Sequence, residues 1–275
     1  MIVKYLPLKH PTNPVICTMS DGEVEDLEIN AGFFEEPEDF RPQAPTASDI
    51  VYERKHAGSS SNLVPLRLIG SSPLYGHILT NAAKYTAEFL DKNPDWVSGK
   101  TVLEFGSGGA LPSIISALNG AKLVVTTDYP DVELINNISY NIKQNNLEAA
   151  AIAKGFIWGD DTTEIREIIQ TATGKSTVDL LILSDVIFNH TEHSKLLKTC
   201  LELINRDGTG KCLVVFSPHR PHLLDKDLEF FQTAAHSGFK HTFIEEQIWS
   251  PLFASDTDES TAELRSKVFA HLLEI

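Results

Sequence analysis

An acid, a run of glycines and an apolar stretch stand together in TVLEFGSGGALPS, residues 101–113. A strand ending at Glu104 and Phe105, a turn from Gly106 to Gly109 and a helix from about Leu111 would present backbone N–H groups to a ligand at close range, because glycine leaves no side chain in the way. The dinucleotide fingerprint wants glycine at the first, third and sixth positions, but here Gly106 and Gly108 are followed by Leu111. Glu104, two residues before the first glycine, would repel a diphosphate and could help hold an ammonium or a sulfonium. The loop therefore points to S-adenosylmethionine rather than NAD. Asp128 closes the next apolar run, KLVVTTD, where a carboxylate can accept both hydroxyls of an unphosphorylated ribose. Trp158 with Gly159, and Ser184 with Asp185, close the two runs after that. Each residue also has a plainer reading: the glycines as a simple turn, Asp128 as a cap for a helix starting near Asp131, Trp158 as core, and Asp185 as a cap ahead of Glu192. Their recurrence at successive strand ends favours a ligand site.

Such strand ends need a sheet to bring them into one row. From Pro73 onward, short apolar runs alternate with helix-like segments, the pattern of a parallel sheet covered on both faces. Strands are expected over 101–105, 122–127, 151–157, 178–184 and 211–217, with helices over 112–118, 131–144, 162–171, 192–205 and 225–237 between and after them. Segments 239–248 and 267–273 complete the sheet as a closing pair, seven strands in all. Residues 1–60 differ: they hold six prolines and an acidic run from Asp21 to Glu28 and end in a serine run, Ser59 to Ser61, so an irregular arm is expected ahead of a domain spanning 61–275. Met19 opens a second reading, MSDGEVEDLE, which makes residues 1–18 a candidate dispensable extension.

The 38 acids against 23 lysines and arginines give a net charge of −15, which argues against binding nucleic acid through phosphate neutralisation and leaves a basic protein as a natural partner. No apolar run has the roughly 18 residues of a membrane-spanning helix, and the start reads as no signal peptide. Three cysteines at wide spacing fit neither a disulfide framework nor a zinc site, so a cytoplasmic protein is expected; a monomer is expected as well. His190 with His193 and His219 with His222 are each spaced by three, but lie in loops or at a helix start with no cysteine partner, and no metal is expected. No Gly-x-Ser-x-Gly elbow supplies a hydrolytic serine.

Seven segments together resemble a known family: FFEEPEDFRP at 33–42, SPLYGH at 72–77, VLEFGSGGALPS at 102–113, TTDYPD at 126–131, WGDD at 158–161, LILSDVIFNHTEH at 181–193 and VVFSPHRP at 214–221. They are similar to the Rossmann-like, seven-strand S-adenosylmethionine-dependent methyltransferases, and among these to the fungal protein N-terminal and lysine methyltransferases of elongation factor 1-alpha. The resemblance implies an α/β fold with helices on both faces of a seven-stranded sheet. It places Gly106, Ser107 and Gly108 around the methionine end of the cofactor, Asp128 on the ribose, Trp158 against the adenine and Ser184 in the same pocket. Tyr75 stands where the family usually has tryptophan. Asp185 and Phe188 match the acid and aromatic beside the transferred methyl group.

Methyl transfer to an amine is an in-line displacement, so these residues would chiefly orient a neutral amine. Asp185 could offset the charge growing on its nitrogen, and Phe188 could wall it with an aromatic face. Phe34 and Glu36 of the acidic arm, Asn189, and His219 with Arg220 after the fifth expected strand are candidate substrate contacts; a turn fixed by Pro218 and Pro221 explains the last two nearly as well. Two other readings stand beside the protein methyltransferase: a small-molecule N-methyltransferase with a nicotinamide-like substrate, expected if the pocket is closed on all sides, and a cofactor-binding scaffold without catalysis.

Overall fold

The computed structural model describes residues 45–58, 60–72, 75–250 and 258–275. They belong to one compact unit, Ala44–Ile275. Phe34 and Glu36 lie outside the described residues.

A hairpin comes first, β1 (Ser48–Glu53) paired antiparallel with β2 (Leu63–Leu68). In β2 the buried Val64, Leu66 and Leu68 alternate with more exposed neighbours, the period that lets one face of a strand cover a core. Helix α1 (Asn81–Lys92) follows, started by Thr80, whose hydroxyl accepts from the N–H of Ala83 at 3.2 Å. Strand and helix then alternate through β3 (Thr101–Phe105), α2 (Leu111–Leu118), β4 (Leu123–Asp128), α3 (Val132–Gln144), β5 (Ala151–Gly155), α4 (Thr163–Thr173), β6 (Leu180–Ser184), α5 (His193–Leu203), β7 (Lys211–Phe216) and α6 (Leu224–His236). The chain closes with β8 (Lys240–Ile248), α7 (Glu259–Arg265) and β9 (Lys267–Glu274).

Strands β3 to β9 form one seven-stranded sheet in the order β5-β4-β3-β6-β7-β9-β8, with β9 antiparallel to both its neighbours and β3 to β7 parallel. Every residue of β3, β4 and β6 is buried, as central strands covered on both faces must be. Alternation along β3 sends Val102 into a core with Leu66, Leu90, Ile115 and Ile138, beneath the hairpin and α1 to α3. Leu103 packs on the other face with Ile165, Leu197 and Phe230 of α4 to α6.

The expected seven-stranded α/β sheet is present, and the expected strand 101–105 coincides with β3. The hairpin, α1 and α7 are additions that the sequence reading did not anticipate. Strand β1 lies in the stretch expected to be irregular, held there because Ile50 and Tyr52 pack against the core while Val51 points out. Helix α1 hides its period by burying polar groups. Its Asp91 accepts from Arg54 Nε at 3.0 Å and Nη2 at 2.6 Å, both side chains out of solvent, which ties the hairpin to the sheet-covering helices. Among the described residues, no helix is long and apolar enough to cross a membrane.

Candidate active site

The sheet order converts scattered sequence positions into a row. The strands β5, β4, β3, β6 and β7 are adjacent and parallel, so the residues that end or follow them come into one row: Trp158, Asp128, the glycine loop, Asp185 and His219. Open α/β sheets bind ligands outside such carboxyl ends, where successive connections leave in opposite directions. Here that point lies between β3 and β6. A cavity of about 370 Å³ occupies it, within the range of small-molecule sites.

The glycine loop crosses the sheet edge in a conformation that side chains resist. Gly106 has φ +64°, and a Cβ on it would stand 2.6 Å from Val186 Cγ1 and 3.7 Å from Trp158 Cζ2. From Gly108 (φ +52°) the N–H donates to Asp128 Oδ2 at 2.7 Å, while the N–H of Tyr129 donates to Oδ1 at 2.7 Å. Asp131, not Asp128, caps α3 by accepting from Leu134 N–H at 3.0 Å. Asp128 is thus free of helix-capping duty. Asn141 of α3 fixes the far side of the loop: its side chain donates to Gly109 O at 3.1 Å and accepts from Arg67 N–H of β2 at 2.7 Å.

Two carboxyl groups end in this cavity without a cationic partner among the described residues. Glu104 is 1% exposed and accepts from the N–H of Ser113 at 3.0 Å and its hydroxyl at 2.5 Å. Burial pushes its pKa up to about 8, with the Ser113 bonds opposing and the nearby Asp128 adding to the rise. Burial likewise raises Asp128, against its two backbone hydrogen bonds. Ser107 lines the same cavity, and its Oγ is buried with no hydrogen-bond partner among the described residues. Carboxyl groups short of positive charge and an unsatisfied hydroxyl fit a ligand that is both cationic and hydrogen-bonding.

On the β6 side the backbone is strained again, since Asp185 holds φ +57° although it is not glycine. Its carboxylate accepts from Ser217 N–H at 3.1 Å, and His219 Nε2 lies 2.9 Å from its other oxygen. Burial works against charge on the His219 ring, but the Asp185 carboxylate, reinforced by Asp227 and opposed by Arg220, holds its pKa above the ordinary histidine value. Phe188 meets Tyr75 edge to face with ring centroids 5.8 Å apart, and Arg220 donates to Phe188 O at 2.6 Å. Tyr75 is 48% exposed at φ +63°. Asn189 accepts from Thr191 at 3.2 Å, and Ser184 lies 3.5 Å from the hydroxyl of Thr86.

The cavity is lined by Tyr75, Glu104, Gly106, Ser107, Gly108, Asp128, Trp158, Ser184, Asp185, Phe188, Asn189, His219 and Arg220, so every candidate within the described residues stands on it. Sequence reasoning missed Ile78, Leu79 and Ala83, which add a wall at the start of α1. Thr80, a good N-cap before Asn81–Lys92, was the available signal. The histidines paired by spacing go separate ways: His190 to Asp227 at 2.7 Å, His193 to Ile187 O at 2.6 Å, and His219 to Asp185.

A family model described as lysine methyltransferase matches residues 74–237, which include all of these lining residues. The protein N-terminal and lysine N-methyltransferase EFM7 of Candida albicans is 44% identical over 259 residues, covering 90% of this chain and 97% of that protein. Its Schizosaccharomyces pombe counterpart is 42% identical over 260 residues, covering 94% and 98%. The chain belongs to the lysine methyltransferase family. It is an enzyme that transfers methyl groups from S-adenosylmethionine. The fold agrees: a Streptococcus mutans SAM-dependent methyltransferase structure superposes with a TM-score of 0.53 at 15% identity, over 78% of this chain and 53% of that one. This lysine methyltransferase chain thus spans about half the length of that bacterial structure.

The family's methyl donor, a sulfonium with an ammonium group, is of the cationic and hydrogen-bonding kind that this cavity suits. The residues available to hold it are Glu104, Gly106, Ser107, Gly108, Asp128, Trp158 and Ser184.

Proposed function

We propose that this methyltransferase modifies the α-amino terminus of a basic protein, elongation factor 1-alpha, and more slowly a lysine next to that terminus. The observation that carries this reading is the placement of Asp185 and Phe188, one strand away along the sheet edge, and of the exposed Tyr75 ahead of α1 on the same cavity as the glycine loop. A half-exposed aromatic at the rim suits a chain end entering from outside better than a small molecule enclosed on all sides. The names of the fungal relatives support the same pair of amines.

When bound, the donor supplies a methyl group already activated on sulfur. What remains for the chain is to bind and orient. Asp128 would accept from the ribose hydroxyls and Trp158 would pack on the adenine, while Glu104 and the loop Gly106–Gly108 would hold the methionine end. Asp185, its carboxylate fixed by Ser217 and His219, accepts from the target amine and offsets the positive charge that grows on nitrogen. The rings of Phe188 and Tyr75 give that charge an aromatic wall.

Proton arithmetic orders the two amines. An α-amine of pKa 7.7 to 8.0 is roughly 10 to 20% neutral at pH 7, whereas a lysine near 10.4 is neutral only about 0.04% of the time. Reaching the nucleophilic form costs about 1 to 1.4 kcal/mol for the first and about 4.6 for the second. Peptides copying the processed terminus of elongation factor 1-alpha test the reading. The free-amine form is methylated, with a rate that levels off near pH 8 if chemistry limits it. Methylation of nicotinamide but of neither free nor acetylated peptide would overturn it in favour of a small-molecule substrate.

A further inference from the structure

The turn after β7 closes on Asp185 from one side. Ser217 donates its N–H to one carboxylate oxygen at 3.1 Å, His219 Nε2 meets the other at 2.9 Å, and the N–H of His219 folds back onto Ser217 O at 2.8 Å. Pro218 lies between them, so the ring is set by a short, stiff turn. His219 and Asp185 both line the cavity. From this geometry we propose that His219 is a positioning residue of the transfer: through Asp185 it sets how much negative charge the target amine meets, and a protonated ring turns the site off. The proposal rests on the reading that Asp185 faces the amine.

The hydrogen bond itself survives in both states of the ring, because the Asp185 carboxylate can only accept and so keeps the proton of a neutral ring on Nε2. Only the charge of the pair changes. With a neutral ring, the pair presents a full negative charge to an incoming amine. With a protonated ring, Asp185 is half of an ion pair, and the positive charge developing on the nitrogen meets a site of zero net charge. Among the described residues, the other charged groups facing the ring are Asp227 of α6 and Arg220 of its own turn. Asp227 is itself bonded to His190 at 2.7 Å, in the turn that leads into α5. Burial and Arg220 favour the neutral ring, but Asp185 and Asp227 outweigh them, so the change of state falls above the ordinary histidine value.

An Nα-acetylated lysine peptide isolates this ionisation, since lysine titrates far above the working range. With the full-length enzyme and saturating S-adenosylmethionine, kcat/KM of His219→Gln is expected to fall about 100-fold from pH 8 to pH 6, as lysine alone dictates. The wild type is expected to fall at least about fourfold further, the loss for a group whose pKa is 6.5 or above. At pH 8 the Gln variant, which keeps a donor to Asp185, should exceed His219→Ala about tenfold, the worth of a hydrogen bond to a charged group. Equal pH dependence of wild type and His219→Gln would overturn the proposal. If neither free-amine nor lysine peptide is methylated, the substrate reading has failed. The pairing is then judged by the NMR titration of the His219 ring, whose proton affinity should drop at least about tenfold in Asp185→Asn. An unchanged titration there would overturn it as well.

Discussion

Glu104 is the residue on which burial acts most plainly, and the consequence is a dependence of stability on pH. Its pKa in the folded chain is near 8, above the ordinary 4.5, so the fold favours the protonated acid. The stability that this contributes is complete below about pH 4.5 and is lost as pH rises through about 8. Without donor, Glu104→Gln should therefore lose less stability than wild type between pH 6 and pH 8.5, by on the order of a few kcal/mol in denaturant unfolding. Identical profiles would separate Glu104 from the effect. A cationic ligand beside this acid favours its ionised form, so donor binding at pH 7 should release close to one proton, read by calorimetry in buffers of different ionisation enthalpy. If Asp128 holds the ribose as proposed, its substitution by Ala should weaken donor binding about tenfold to a hundredfold, about 1 to 3 kcal/mol, and unchanged affinity by calorimetry would remove it from the site. These acids stand out in the sequence because Glu104 interrupts an apolar run just ahead of the glycine turn and Asp128 ends the next one. The bond between Asp185 and His219 was not, since it depends on β6 lying beside β7 and on the turn that folds Ser217 and His219 back.

At the scale of elements, the central strands announced themselves because they are buried on both faces and contain little but apolar residues. Helix α1 did not, because its buried face holds Asn81, Thr86, Glu88 and Asp91, polar groups that the tertiary structure satisfies and that blur a 3.6-residue period. The hairpin escaped notice for a related reason: Arg54, 3% exposed at the end of β1, reads as a surface residue until Asp91 is placed against it. Breaking that pair leaves a buried guanidinium without a counter-charge. Asp91→Ala should cost about 3 to 5 kcal/mol in denaturant unfolding, and the double change Arg54→Met with Asp91→Leu considerably less. If the single and double variants unfold alike, the pair is not what fastens the hairpin. Asn141 joins the same hairpin to the glycine loop through Arg67 and Gly109. Asn141→Leu should therefore weaken donor binding although the residue is only a neighbour of the loop.

The whole molecule is acidic, with a net charge of −15, and its expected substrate is basic. Attraction of that kind is long-range and screened, so kcat/KM on a basic peptide should fall as salt rises while donor affinity changes less. Glu35, Glu36, Glu38 and Asp39 lie outside the described residues, and their part in recognition is an expectation from sequence. Deleting residues 1–32 should leave activity intact, and extending the deletion through Phe40 should reduce it; equal activity of the two truncations would remove the arm from recognition. Sheet, cavity and strand-end acids stand on one edge of the molecule, the place proposed here for methyl transfer to a protonatable nitrogen. The most direct test of that claim is to incubate the enzyme with labelled S-adenosylmethionine and whole-cell extract and to map the labelled peptide. The account predicts label on the amino terminus of elongation factor 1-alpha, with a smaller share on the adjacent lysine and none when Asp185→Ala replaces the wild type. Label confined to small molecules, or to protein side chains away from that terminus, would contradict it.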